Sequence, residues 1–428
     1  MSGQIWRWEE GRRLRRPVIT SWRPSPWALW CTANFVKSGA RTEEARPRSR
    51  EAILGLAIKG SRTHLLRHIV SLHTRQIREI QNKDLTDADV LLVRSTTRVS
   101  RALIDNTALQ FIGSATSGTD HIAIDDLTRA GIGFSDAKGC NANAVTDYCL
   151  SAIANIFDER IRAGESLKIG IIGHGAVGSS LAKKASSCNW DVLINDPPQS
   201  ERNEALAQDI SYKRLEQLSD CDVISIHVPL TTSGVHKTEH LIDKKFLLSL
   251  PKNSVLINTS RGGVVDEEFL LEFLSENQKF LSVVDVWVDE PNCNHRLVDK
   301  AYIATPHIAG YSQKAKKDAS LRIYSEFCKW FSLNCRDTEG RDFKLKKLNT
   351  GKSNSDFLGA VNQVLPITSI SSQFKKLMKG RADAENAAIF DRLRADHKGR
   401  HEFYEFAIPK HFTDEDTNLL KAAGFNPH

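Results

Sequence analysis

No stretch of this sequence approaches the ~20 consecutive apolar residues that a membrane-spanning helix requires, which argues against a helical span. The Arg-peppered opening, MSGQIWRWEEGRRLRRP, has neither an apolar h-region nor a small-residue cleavage site, so no secretory leader is read there. The eight cysteines, at 31, 140, 149, 188, 221, 293, 328 and 335, form no C-x-x-C pair, and no histidine cluster stands at zinc-ligand spacing. Free thiols in a reducing compartment are expected, in a soluble cytoplasmic protein without a metal site.

Most of the chain also lacks net charge. Residues 1–74 hold 14 Lys and Arg against 5 Asp and Glu, a surplus of nine that leaves −2 for the remainder of a chain whose total is +7. Five of the eight tryptophans (Trp6, Trp8, Trp22, Trp27, Trp30) fall in the same opening. The basic front carries no helix-turn-helix or finger pattern, which argues against nucleic acid as a partner. Its only regular stretch is a possible helix over Ile53–Leu72, and the segment 1–74 is expected to be poorly ordered and to supply no strand.

What remains is a globular composition, 40% hydrophobic and 26% charged over 428 residues, long enough for two or three domains. From Asp87 onward apolar runs (ADVLLVRS, LQFIGSAT, IGF) alternate with helix-compatible stretches, and Asn143–Phe157 reads as a helix. A second alternation starts at Leu167 with LKIGIIG and continues through DVLIND, DVISIHVP, SVLINTS, FLSVVDVW and AYIATP. Strand and helix in turn predict an α/β protein, its second block a doubly wound parallel sheet. KAKKDASLRIYSEFCKWF follows as an amphipathic helix, residues 336–354 as a polar linker, and 355–428 as a small mixed tail module without a catalytic motif.

Gly173-His174-Gly175-Ala176-Val177-Gly178 is G-x-G-x-x-G between a predicted strand and a predicted helix, and Asp196 ends the next strand 18 residues later. Such glycines allow a tight turn and close backbone approach to a pyrophosphate, while the helix N-terminus offers N–H donors to the anion. An acid at Asp196 binds ribose hydroxyls and repels a 2′-phosphate, so NAD is expected over NADP.

Three further segments each follow an apolar strand: Asn258-Thr259-Ser260-Arg261-Gly262-Gly263, Asp285 to Pro291, and Thr305-Pro306-His307-Ile308-Ala309-Gly310. Open α/β sheets place ligand residues at these positions. Arg261 offers a planar fork for a carboxylate, His307 moves a hydroxyl proton, and Glu290 orients the imidazole and supports its charged form.

GHGAVG, NTSRGGVVDEEFL, VVDVWVDEP and TPHIAGY, in that order, resemble the D-isomer-specific 2-hydroxyacid dehydrogenases. DADVLLVRSTTRV, FIGSATSGTDH, GIGFSDAKGCNANAV, NDPP and HVPLTTSGVHKTEHLI narrow the likeness to a branch acting on a small phosphorylated 2-hydroxy acid. FDRLRADHKGRHEFYEF resembles that branch's C-terminal dimerisation domain, and the likeness runs from about Gln76 to His428. The resemblance implies Arg261, Glu290 and His307 as catalytic residues, with His307 as proton donor in the reductive direction. It implies Ser95, Thr116 and Tyr311 as substrate-binding, and Gly173, Gly175, Ala176, Val177, Gly178, Asp196, Val228, Thr259, Ser260, Arg261, Asp285 and Gly310 as NAD-binding. From spacing alone, Ser95 and Thr116 read rather as strand-end caps or turn residues, and only the resemblance promotes them; Cys140 and Cys149 read as structural.

The implied architecture is a smaller flavodoxin-like α/β substrate-binding domain (75–160, completed by the helix at about 312–335), a Rossmann-type NAD domain (161–311) and a C-terminal α+β dimerisation module (345–428) that makes a homodimer. Residues 1–74 depart from the family, whose members open with a strand and an Asp-Glu-Asn turn. A dehydrogenase for another 2-hydroxy acid, such as 3-phosphoglycerate, and a non-catalytic NAD-sensing corepressor-like protein remain as alternatives.

Overall fold

The structure, a computed structural model, describes residues 4–5, 80–86, 88–95, 97–206, 210–333, 344–349, 356–379 and 383–427. The helix expected over Ile53–Leu72 lies outside the described residues. The chain divides into two compact units, Met1–Cys140 with Lys316–Asp342, and Asn141–Ala315 with Phe343–His428.

The first unit is built on a four-stranded sheet in the order β1-β2-β3-β4: Gln4–Ile5, Val90–Val93, Phe111–Ser114 and Gly133–Asp136. The strands β2 to β4 are parallel, with Leu91 beside Ile112 and Ile112 beside Phe134. Val90, Leu91, Val93, Phe111 and Ile112 are buried, as parallel strands covered on both faces require. Ile323, Tyr324, Phe327 and Cys328, from the helix Gln313–Trp330, share their core. The front of the chain, read as supplying no strand, contributes one short antiparallel pair, Gln4 with Leu92 and Ile5 with Leu91. Two residues are too few for the alternation that reveals a strand in sequence.

The second unit holds a six-stranded, all-parallel sheet in the order β10-β9-β8-β7-β5-β6. Its strands are β5 (Lys168–Ile172), β6 (Asp191–Asn195), β7 (Val223–Ile226), β8 (Val255–Asn258), β9 (Leu281–Val284) and β10 (Ile303–Ala304). The chain runs from β5 outward to β6 and then returns across β5 to β7, so the strand order reverses between β5 and β7. In open α/β sheets that switch point, at the carboxyl ends of the strands, is where ligands bind. This is the doubly wound, Rossmann-type arrangement that the alternation predicts. No described helix is long and apolar enough to cross a membrane.

The tail, residues 344–349, 356–379 and 383–427, carries a two-stranded parallel sheet, β11 (Lys346–Lys347) with β12 (Phe406–Ala407), and four helices: Phe357–Val364, Ile367–Met378, Asp383–Asp396 and Asp414–Ala423. Side chains of Asp356 and Thr413 cap the first and last by accepting the Gly359 and Asp416 amides. The sequence sets the tail apart as a module, yet it shares two cores with the Rossmann sheet. Phe357, Val361, Phe403, Phe412 and Phe425 pack in one cluster with Tyr148, Leu167, Ile169 and Leu181. Phe374, Met378, Phe390 and Leu393 pack in another with Trp287, Leu270 and Ile224. Each fully buried side chain of this kind contributes about 1.5–3 kcal/mol. The helix Ala142–Ile156, read as the end of the substrate-binding domain, belongs to this second unit because Tyr148, Leu150, Ala152 and Ile153 are buried in the same cluster.

Candidate functional site

The dinucleotide loop leaves β5 at Gly173, whose φ of +96° lies in the left-handed region. A Cβ at Gly173 would lie 2.7 Å from the His227 carbonyl oxygen beyond β7, and one at Gly178 would lie 1.9 Å from the Gly173 oxygen. Side chains are therefore barred at both positions, and the first turn of the helix Ala176–Ser187 is drawn onto the strand. Around Gly175, which caps that helix, a Cβ would meet nothing within 4 Å, so the space in front of the helix N-terminus is open. That space and the free first-turn amides fit a pyrophosphate. Ala176 and Val177 form the opening of the helix, and Val228 lies against Gly173 from the far side of the switch point.

Asp196 follows β6. Its Oδ2 accepts the His174 amide at 2.6 Å and its Oδ1 the Gln199 amide at 2.9 Å, so the carboxylate is tied to the glycine loop that it faces. Burial pushes the nearby His174 imidazole down, against an opposing pull from Asp196.

Arg261, Glu290 and His307 follow β8, β9 and β10, three neighbouring strands that run the same way, so all three rise from one edge of the sheet. Asn258 shapes the first loop: its Oδ1 accepts the Ser260 amide and hydroxyl at 3.1 and 2.9 Å, and its Nδ2 donates to the Arg261 oxygen at 2.9 Å. Arg261 Nη1 donates to the Ser260 oxygen at 2.7 Å. Thr259 Oγ1 lies 3.4 Å from His227 Nδ1, in a ring whose burial pushes its pKa down to about 3.

His307 Nδ1 stands 2.6 Å from Glu290 Oε2. The other oxygen, Oε1, accepts the Trp287 amide at 2.9 Å, which fixes the carboxylate. Burial alone would raise the Glu290 carboxyl; the His307 charge and hydrogen bond, the Trp287 amide and the Arg394 charge outweigh it and hold the group below its ordinary value. A carboxylate on Nδ1 makes that nitrogen the proton-bearing one and leaves Nε2 to exchange a proton with a ligand. His307 itself has φ +53°, a strained conformation for a residue with a Cβ. It is held by its own amide, donated to the Asp285 oxygen at 2.8 Å.

Asp285 is fully buried and accepts Thr305 Oγ1–H at 2.6 Å and the Ile308 and Ala309 amides at 2.8 Å each. Burial pushes its carboxyl up to about 6. Since the Thr305 hydroxyl spends its proton on Asp285, Tyr148 donates to Thr305 in turn. Asp285 is thus the staple of the loop bearing His307.

The sequence reading missed a group that holds the same loop from the tail. Arg400 donates to the Tyr311 oxygen from Nε at 2.7 Å and to the Ala144 and Ala309 oxygens from Nη2 at 3.0 and 2.5 Å. Ser312 donates to Glu402, and the Phe403 amide donates to Asp147, whose other oxygen pairs with Lys184 at 2.8 Å. Arg400 lies in a stretch legible only as tail, with no spacing that ties it to a site in sequence. At Gly310 a Cβ would lie 2.4 Å from Asn141 Nδ2. Cys149 sits beneath Thr259, its thiol pushed up to about 12 by burial, which removes it as a nucleophile.

Ser95 and Thr116 belong to the first unit, whereas every other candidate belongs to the second. Ser95 is exposed in a turn, and the Thr116 hydroxyl donates to the Gly118 oxygen at 3.0 Å beside Ser114 Oγ.

Residues 156–309 match the family model described as the D-isomer specific 2-hydroxyacid dehydrogenase NAD-binding domain. The chain is similar to the erythronate-4-phosphate dehydrogenase of Marinobacter nauticus, 38% identical over 339 residues, which cover 76% of this chain and 88% of that protein. It is 35% identical over 363 residues to that of Hahella chejuensis, covering 83% and 93%. Among solved structures, an acyclic imino acid reductase in complex with NADPH and D-Arg superposes with a TM-score of 0.50 at 23% identity, over 59% of this chain and 85% of that one, a likeness of fold.

Proposed function

The chain belongs to the erythronate-4-phosphate dehydrogenases, within the D-isomer-specific 2-hydroxyacid dehydrogenases, and from that premise we propose that it oxidises 4-phospho-D-erythronate at C2. The product is 2-oxo-3-hydroxy-4-phosphobutanoate, and the reaction belongs to pyridoxal-phosphate biosynthesis. NAD, when bound, supplies the hydride acceptor. Gly173, Gly175, Ala176, Val177 and Gly178 hold its pyrophosphate and Asp196 its adenosine ribose, with Val228, Thr259, Ser260, Asp285 and Gly310 along the remaining edge. Arg261 clamps the substrate carboxylate through its two-donor fork. His307 takes the C2 hydroxyl proton at Nε2, and Glu290 holds the ring and balances the charge it gains. Ser95, Thr116 and Tyr311 contact the substrate.

The observation that carries this reading is the His307–Glu290 pair at 2.6 Å, whose members follow the adjacent strands β10 and β9, with Arg261 following β8, two strands from β10. The tail is proposed to pair two copies about a two-fold axis, and the protein to work in the cytoplasm. Following NADH absorbance with 4-phospho-D-erythronate, 3-phosphoglycerate and other phosphorylated 2-hydroxy acids tests the assignment. Preferred turnover of 4-phospho-D-erythronate supports it; preference for 3-phosphoglycerate, or NAD binding with no turnover of any member, overturns it.

A further inference from the structure

The tail supplies a second arginine to this region besides Arg400. Arg394, in the helix Asp383–Asp396, places its guanidinium carbon 4.9 Å from the centre of the Tyr311 ring. Tyr311 stands four residues after His307 on the loop that Arg400 and Asp285 hold. Arg394 Nε is buried and has no hydrogen-bond partner among the described residues. Its charge is nonetheless felt at Glu290, the partner of His307.

A buried donor without an acceptor is costly, the more so when it belongs to a charged group. Arg400, six positions later, donates from Nε and Nη2 to three main-chain oxygens and leaves only its Nη1 unpartnered, whereas the buried Nε of Arg394 has no acceptor among the described residues. An aromatic ring beneath a guanidinium holds the plane in place without consuming its donors. The result is a charged fork held over the Tyr311 ring, within electrostatic reach of Glu290, with its buried Nε–H unpaired among the described residues, an arrangement suited to an anion.

We infer that Arg394 binds the phosphate of the substrate, so that the tail gives the site its preference for a phosphorylated hydroxy acid. This rests on the function proposed above, where Arg261 takes the carboxylate and a second anionic group remains to be held. A phosphate dianion matches the fork in charge and geometry, and Tyr311 becomes the platform that sets where the phosphate end of the substrate lies.

The test compares wild type, Arg394→Gln and Arg394→Lys on 4-phospho-D-erythronate and on unphosphorylated D-erythronate. Arg394→Gln is expected to raise KM for the phosphorylated substrate by roughly tenfold or more. KM for D-erythronate and the affinity for NAD should stay unchanged, and Arg394→Lys should recover part of the loss. An equal change on both substrates, or none on either, overturns the inference. Wild-type turnover of neither compound would count against the proposed function instead. In that event calorimetric titration of inorganic phosphate into wild type and Arg394→Gln decides: weaker binding by the variant sustains the inference, and equal binding rejects it. Matching thermal unfolding of variant and wild type confirms that a fold defect is not being read.

Discussion

The Nε–H of Arg400 donates to the main-chain oxygen of Tyr311 at 2.7 Å across 89 residues of chain. A side chain from the tail thereby fixes the loop that also bears His307. The same guanidinium satisfies the Ala144 and Ala309 oxygens, so three buried acceptors depend on one residue.

Arg400→Ala leaves those acceptors unpaired. At about 1–3 kcal/mol for each buried unsatisfied group, a loss of about 3 kcal/mol or more is expected in chemical denaturation. Turnover should fall as well, because the loop that presents His307 loses its outer anchor. A stable, fully active Arg400→Ala protein would show that the loop is held by Asp285 alone.

His307→Asn removes the group that exchanges the hydroxyl proton and leaves the glycine loop intact. Turnover is expected to fall by ~10²–10⁴, while NAD affinity, followed by fluorescence titration, stays within about twofold of wild type. Turnover close to wild type would place the proton transfer elsewhere.

For Asp196→Ala, steady-state kinetics with both cofactors should show weaker use of NAD and a shift of preference toward NADP. The carboxylate repels a 2′-phosphate, and its loss also releases the His174 amide it accepts at 2.6 Å. An unchanged NAD/NADP ratio would assign ribose recognition to another residue.

Glu402 carries a pH signature. Burial pushes its carboxyl up to about 7; the Ser312 hydroxyl and Arg400 oppose this, while Asp147 and Glu405 add to it. A carboxyl raised in the folded state takes up its proton more readily there than in the unfolded chain. Its contribution to stability is therefore fully present below the unfolded value of about 4.3 and is lost as pH rises through about 7. Glu402→Gln should remove this dependence. The variant is expected to match wild type near pH 5 and to exceed it by about 2 kcal/mol near pH 8, by the linkage of about 1.4 kcal/mol per pK unit. A constant difference in thermal midpoint from pH 5 to 8 would deny the shift.

The parallel strands β2 to β10 and the three strand-end loops were legible because they obey local rules: short apolar runs, glycines at fixed offsets, and an acid at the end of the following strand. Arg261, Glu290 and His307 could each be named in advance because each comes directly after such a run. Asp285 and Thr305 were visible only as members of their motifs, and nothing in their spacing reveals that they bind one another 20 residues apart. Arg394, Arg400 and Glu402 were illegible as site residues for a simpler reason. Their partners lie in another part of the chain, and a surface-like run such as RLRADHKGRHE reads as a solvated face until tertiary contacts bury it. The short strand Gln4–Ile5 escaped notice because its pairing is a matter of two residues.

The shared core also governs when this protein can finish folding. The helix Ala142–Ile156 leaves the ribosome long before the residues that cover it, since Ala144 waits 256 positions for Arg400 and Ser151 waits 214 for the oxygen of Leu365. Pairings so distant in sequence close large loops and slow the search for the native state. Until residues 357–425 have emerged, the nascent chain leaves open the apolar face that Phe357, Phe403 and Phe425 cover, and exposed apolar surface of that kind is prone to aggregation in the interval.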